Sequence, residues 1–149
     1  VGGLDSDAPQ TISGAEALMD ALRRHGVDTI FGYPGGAILP IYDALHIAES
    51  EGWVKHILVR HEQAGTHAAD GYARASGKLG VMIASTGPGT SNTVTGLYEA
   101  QYGSSRVLVI TGQAETAFYG KGLAYVHEAE KQVPMLASVC RRLQTTSTH

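Results

Sequence analysis

Residues able to do chemistry fall in four short runs of this chain: "FGYPGG" at 31–36, "RHE" at 60–62, "STGPGTSN" at 85–92 and "TGQ" at 111–113. Glu62 says the most, because it stands between an apolar strand-like stretch and a helix-like one. Such an acid has two readings. In the first it is an ordinary helix N-terminal carboxylate, favoured by the helix dipole and fully solvated. In the second the apolar stretch draws it out of water, which strengthens any hydrogen bond it makes. The helix that follows is lined with Ala64, Gly65, Ala68, Ala69, Gly71, Ala73 and Ala75, so another backbone or a flat ring could approach it closely. A desolvated carboxylate needs an N–H partner. No lysine or arginine except Arg60 is close in sequence, and a ligand's ring nitrogen would serve.

Other chemistries are less well supplied. Gly87-Pro88-Gly89 could open a phosphate-binding helix, but position 92 is Asn rather than a third glycine, Pro88 removes a donor, and no Walker-type lysine follows. Its plainer reading is a tight turn that lets strand and helix pack closely. His61 and His67 are six residues apart and do not share the helical face that a zinc pair needs. His25, His46 and His56 read as surface or rim positions. There is no G-x-S-x-G elbow, and Cys140 has no base near it in sequence. No metal site is assigned.

The elements that must position these runs alternate. A helix is predicted over "SGAEALMDALRRHG", with Ser13 and Glu16 as a capping box, Gly26 as its stop, and Ala17, Leu18, Ala21 and Leu22 as its apolar positions. Strands are predicted at "DTIFGY", "KHILVR", "GVMIAS" and "RVLVIT", and a last one at "CRRLQT". Helices are predicted at "ILPIYDALHIAES", from about His61 to Ser76, at "TVTGLYEAQYG" and at "HEAEKQVPMLASV". The strands read as buried on both faces. This pattern predicts an α/β fold, a parallel sheet with helices on both faces. In such sheets ligands bind beyond the carboxyl ends of the strands, where all four runs fall.

Composition bounds the function. The 149 residues suit one domain, with residues 1–10 read as a flexible lead-in and 11–149 as the folded unit. A hydrophobic share of 43% excludes disorder as the main state, and a net charge of -3 leaves no basic footprint for nucleic acid or an anionic membrane. No apolar run approaches the roughly 20 residues of a bilayer span. One cysteine excludes an intrachain disulfide and fits a reducing cytoplasm. The 19 glycines are nearly twice the usual share of about 7%, and many sit at strand-to-helix junctions, where close packing and sharp turns are needed.

Taken together, "FGYPGGAILPIYDAL", "RHEQAGTHAADGYARASGKLGV" and "STGPGTSN" resemble the N-terminal pyrimidine-binding domain of thiamine-diphosphate enzymes, and most closely the acetolactate synthase catalytic subunit. The resemblance is dense from about Thr11 to Gln113. It implies a Rossmann-like or flavodoxin-like domain in which Glu62 hydrogen-bonds N1′ of the cofactor's aminopyrimidine and favours the imino tautomer that deprotonates the thiazolium. It further implies that Tyr33, Pro34, Gly35, Gly36, Ser85, Pro88, Gly89 and Asn92 border the cofactor, and that Ala37, Gln113 and His127 lie on the substrate side. The reaction implied is decarboxylation of a 2-oxo acid such as pyruvate, then addition of the enamine to a second 2-oxo acid.

Three departures accompany the resemblance. "AYVHE" stands where "AFQE" is usual, placing His127 where a glutamine is expected; its imidazole is read either as a proton-transfer group or as a helix cap. Arg106 replaces a proline near the substrate entrance. The Gly-Asp-Gly motif that holds Mg²⁺ and the diphosphate, and the middle domain where these synthases carry FAD, are not in these 149 residues. The resemblance therefore implies a diphosphate-binding domain or subunit as partner, a homo-oligomer, and little activity from this chain alone. A thiamine-diphosphate 2-oxo acid decarboxylase or lyase is the nearer rival reading; a non-catalytic α/β binding module is the more distant one.

Overall fold

The computed structural model describes residues 11–146. The expected lead-in at 1–10 lies outside the described residues. Within them, four parallel strands form one sheet in the order β2-β1-β3-β4: β1 (Thr29–Gly32), β2 (Lys55–Leu58), β3 (Gly80–Ala84) and β4 (Val107–Thr111). Register is continuous across the sheet, with Phe31 opposite Ile57 on one side and Met82 on the other, and Met82 opposite Val109.

Helix α1 (Gly14–Arg24) begins with the predicted capping box: Glu16 N–H donates to Ser13 Oγ at 3.2 Å, and Ser13 N–H to Glu16 Oε2 at 2.7 Å. Its packed face differs from the expected one. Met19 and Leu22 are buried and Ala15 and Leu18 partly so, whereas Ala17 and Ala21 face solvent. The larger side chains took the core, since burial energy grows with apolar area. With α2 (Leu39–Ser50), α1 covers one sheet face around Ile30, Val81 and Ile83. On the other face α3 (Glu62–Ser76) lies over Phe31, Met82 and Ala84, with α5 (Val94–Tyr102) beside it.

The small residues of α3 divide by function. Gly65, Ala69 and Ala73 turn inward and let the helix lie close on β3, where a Cβ at Gly65 would sit 2.5 Å from Met82 Sδ. Ala64, Gly71 and Ala75 are exposed. The close approach of α3 to α5 is made by Gly96, whose missing Cβ would fall 2.6 Å from that of Thr66.

Three expectations are corrected. Only the central strand β3 is buried throughout, and β1 nearly so; β2 and β4, at the sheet edges, are partly open. No strand forms at "CRRLQT": Arg141 and Arg142 are exposed, and β4 pairs with β3 alone among the described residues. The C-terminal helix shrinks from the expected 127–139 to α6 (Gln132–Ala137). His127 lies at φ +62 and the Glu128 carboxylate turns back to accept Gly120 N–H at 2.6 Å, so the chain cannot enter a helix there. The helix expected at "TVTGLYEAQYG" forms as α5, preceded by a single separate turn, α4 (Pro88–Ser91).

Candidate active site

All four runs meet at the carboxyl ends of the strands. Tyr33, Pro34 and Gly35 leave β1; Gly36 and Ala37 form a 3-10 turn that leads into α2. Glu62 opens α3 after β2, Ser85 through Asn92 follow β3, and Gln113 follows β4. A parallel sheet sends every strand-to-helix connection to one rim, and this common rim is the reason residues so far apart in sequence become neighbours.

Glu62 occupies the centre. It is the first residue of α3, capped by His61, whose Nδ1 accepts Gln63 N–H at 3.2 Å. Only 8% of Glu62 is exposed, which removes the reading of a freely solvated helix-start acid. Asn92 Nδ2 donates to Glu62 Oε2 at 2.9 Å. Glu62 Oε1 makes no hydrogen bond among the described residues, and a Cβ on Gly89 would lie 3.3 Å from it. The side chain thus has one oxygen tethered and one left for a donor, and glycine keeps that approach uncrowded. The helix dipole adds positive potential at the same point.

Most of the remaining sequence-predicted residues make close contacts among the loops of the same rim. Gly35 fits against Ser85, where a Cβ would come within 2.5 Å of the serine Cβ. Ala37 packs on Gly112, its carbonyl 2.8 Å from where a Cβ would stand. Pro88 starts α4, and Asn92 N–H donates back to Pro88 O at 3.0 Å. Tyr33 is anchored through its backbone, donating N–H to Ile83 O at 3.1 Å, and the residue as a whole is 41% exposed at the rim. Gln113 turns inward: its Oε1 accepts Ala114 N–H at 2.9 Å and lies 3.2 Å from the Thr86 hydroxyl. The His127 side chain is exposed, while its main chain packs on Gly87, which holds φ +58 and ψ -113 and tolerates no Cβ against the His127 carbonyl.

Sequence reasoning placed Thr86 and Thr111 within the candidate runs without giving them a role, and missed Gln132. Thr86 and Gln132 are buried behind the site, and Gln132 touches both flanking loops. A glutamine five residues beyond a histidine in a polar helix-like stretch carries no local signal of burial. A groove of about 1010 Å³ lies apart from Glu62, between α1, the start of α2, β4 and residues 140–146. It is lined by apolar side chains such as Leu18, Ile41 and Leu136, without the acid-and-amide pair that marks the rim site.

The chain is 80% identical over 113 residues to an acetolactate synthase large subunit of Parasynechococcus marenigrum (strain WH8102), covering 76% of this chain and 18% of that protein. It is 58% identical over 113 residues to an acetolactate synthase of Arthrospira platensis, covering 76% and 20% respectively. It is also 53% identical over 109 residues to the acetolactate synthase isozyme 2 large subunit of Escherichia coli (strain K12), covering 73% and 19%. The chain spans about a fifth of the length of these relatives. A family model described as "Thiamine pyrophosphate enzyme, N-terminal TPP binding domain" matches residues 12–137. With that match lying over the four-stranded parallel sheet and the rim that holds Glu62, the chain belongs to the family of N-terminal TPP binding domains of thiamine pyrophosphate enzymes.

Proposed function

We propose that this chain is the pyrimidine-binding domain, over residues 11–149, of an acetolactate-synthase-type enzyme that decarboxylates a 2-oxo acid and joins the product to a second 2-oxo acid. The observation that carries the reading is the buried Glu62, with Oε2 held by Asn92 and Oε1 open beside Gly89. An aminopyrimidine fits this donor set: a ring nitrogen bearing a proton matches the open carboxylate oxygen, and the glycine side allows a flat ring to lie close. The cofactor, when bound, supplies the nucleophilic carbon and the electron sink that decarboxylation requires. Glu62 Oε1 holds the proton at the ring nitrogen, and burial strengthens that bond. Tyr33, Pro34, Gly35, Gly36, Ser85, Pro88 and Gly89 frame the ring, Asn92 acts through Glu62, and Ala37, Gln113 and His127 face the substrate side.

The turn Gly87-Pro88-Gly89 offers few amide donors for a diphosphate, since Pro88 has none and Gly87 N–H is taken by Gln132. The diphosphate and its Mg²⁺ therefore need a partner domain or subunit, and FAD, where used, a further one. On this reading the chain alone is inactive, and we place it within a cytoplasmic oligomer. A second reading, an aldehyde-releasing decarboxylase, rests on His127, whose main chain packs on Gly87 and whose exposed imidazole could deliver a proton.

The test joins this domain to a diphosphate-binding half and supplies pyruvate, thiamine diphosphate and Mg²⁺. Acetolactate is the expected product, and Glu62→Gln is expected to lower turnover by about 10²–10⁴-fold with the fold intact by circular dichroism. Release of aldehyde alone would select the decarboxylase; full turnover by Glu62→Gln would end the catalytic assignment.

A further inference from the structure

Gln132 is 4% exposed, yet every polar atom of its side chain is used. Its Oε1 accepts Gly87 N–H at 2.9 Å and lies 3.2 Å from the Thr86 hydroxyl. Its Nε2 donates to Gly112 O at 2.9 Å and reaches Thr111 Oγ1 at 3.4 Å. One side chain from α6 therefore ties the turn after β3 to the turn after β4. The first turn leads directly into Pro88, Gly89 and Asn92, and so to Glu62; the second packs on Ala37 and continues into Gln113. The Thr86 hydroxyl, 3.2 Å from both Gln113 Oε1 and Gln132 Oε1, has one hydrogen to share between them, which couples the two amides.

We propose that Gln132 is a positioning residue of the site: by bridging the Thr86–Gly87 and Thr111–Gly112 turns it fixes the height at which Asn92 meets Glu62, a role that rests on the thiamine diphosphate reading above. A buried amide that satisfies a donor in one loop and an acceptor in another cannot be replaced by an apolar side chain without orphaning both. Gly87 depends on it most. Its backbone sits in a conformation that few residues adopt, and the bond from Gly87 N–H to Gln132 is the polar contact that holds it on the inner side. Once that bond is lost, the turn relaxes, Asn92 shifts, and the Glu62 carboxylate loses its fixed orientation.

The experiment compares wild type, Gln132→Met and Gln132→Glu. In the ligand-free chain, hydrogen exchange at the Gly87 amide is expected to speed up about tenfold in Gln132→Met. In the full polypeptide that carries this domain, Gln132→Met is expected to weaken thiamine diphosphate about tenfold by calorimetry and to lower kcat similarly. KM for the 2-oxo acid should stay within twofold. Gln132→Glu is expected to bind poorly at pH 8 and to recover towards wild type at pH 6, because only a protonated carboxyl both accepts from Gly87 N–H and donates to Gly112 O. Gly87 exchange and cofactor affinity unchanged in Gln132→Met, or a loss of thermal stability without either, would overturn the proposal. If Gln132→Met does not fold, the pH recovery of Gln132→Glu decides, and its absence overturns the proposal. A wild-type protein that binds no thiamine diphosphate would instead sink the cofactor reading, and this role with it, while the Gly87 exchange result would still stand by itself.

Discussion

Replacing Asn92 by alanine removes the donor that holds Glu62 Oε2 at 2.9 Å. A hydrogen bond to a charged group is worth about 1.5–3 kcal/mol in a protein, and the carboxylate here is mostly buried, so the full range applies before any discount. Asn92 itself is only half-buried and water can replace part of the bond, which places the expected loss near the lower end, about 1.5 kcal/mol. Asn92 also ends α4, so its single substitution mixes two effects. A double-mutant cycle with Glu62→Ala separates them, because the α4 contribution cancels. The coupling energy from urea unfolding is expected at about 1.5 kcal/mol. Thermal midpoints should move by roughly 2–4 °C per kcal/mol for a domain of this size. A coupling below about 0.5 kcal/mol, the level at which distant sites add, would show that the amide does not hold the acid, and the pre-oriented carboxylate would have to be abandoned.

Two further perturbations probe the frame. Asp28 accepts from Lys78 Nζ and Tyr72 Oη, and those bonds, Lys78 foremost, hold its carboxyl down at about 2. Its folded value lies below the ordinary 3.8, so its stabilisation is present above about pH 4 and is lost as pH falls through about 2. With both partners about half exposed, the effect is about 1 kcal/mol or less; the stability gap between wild type and Asp28→Asn should close between pH 4 and pH 2, and a constant gap would refute the linkage. Gly87→Ala meets both a positive φ and the His127 carbonyl, so unfolding free energy should fall by about 2 kcal/mol or more; an unchanged urea midpoint would mean that the turn is not held as described.

Legibility in the sequence followed how local each cause was. The capping box of α1 is written in two residues three apart, and it formed as written. The four strands and the shared rim follow from apolar runs broken by glycine-rich turns, and Glu62 stood out because an acid there has few local reasons to be buried. What the sequence hid was decided by partners far along the chain. Ala17 and Ala21 have helical spacing but lost the core to Met19, a matter of how α1 rolls against α2. "CRRLQT" has strand-like residues but gained no neighbour to pair with. Gln132 looks polar and exposable, and is buried only because two turns from elsewhere present it with a donor and an acceptor.

The two rims of the sheet differ in how they meet their surroundings. At β2, Lys55 is exposed, and a charge of this kind discourages a stray strand from docking. At β4 the sequence Val-Leu-Val-Ile-Thr has no such guard, and its residues keep only partial cover. Residues 140–146 line a groove on that flank, and the outer amides of β4 are unmatched among the described residues, so an extended peptide that displaced them would find a template. Handling the domain by itself thus becomes a question of colloidal behaviour as much as of folding, and the remedy lies on that one flank.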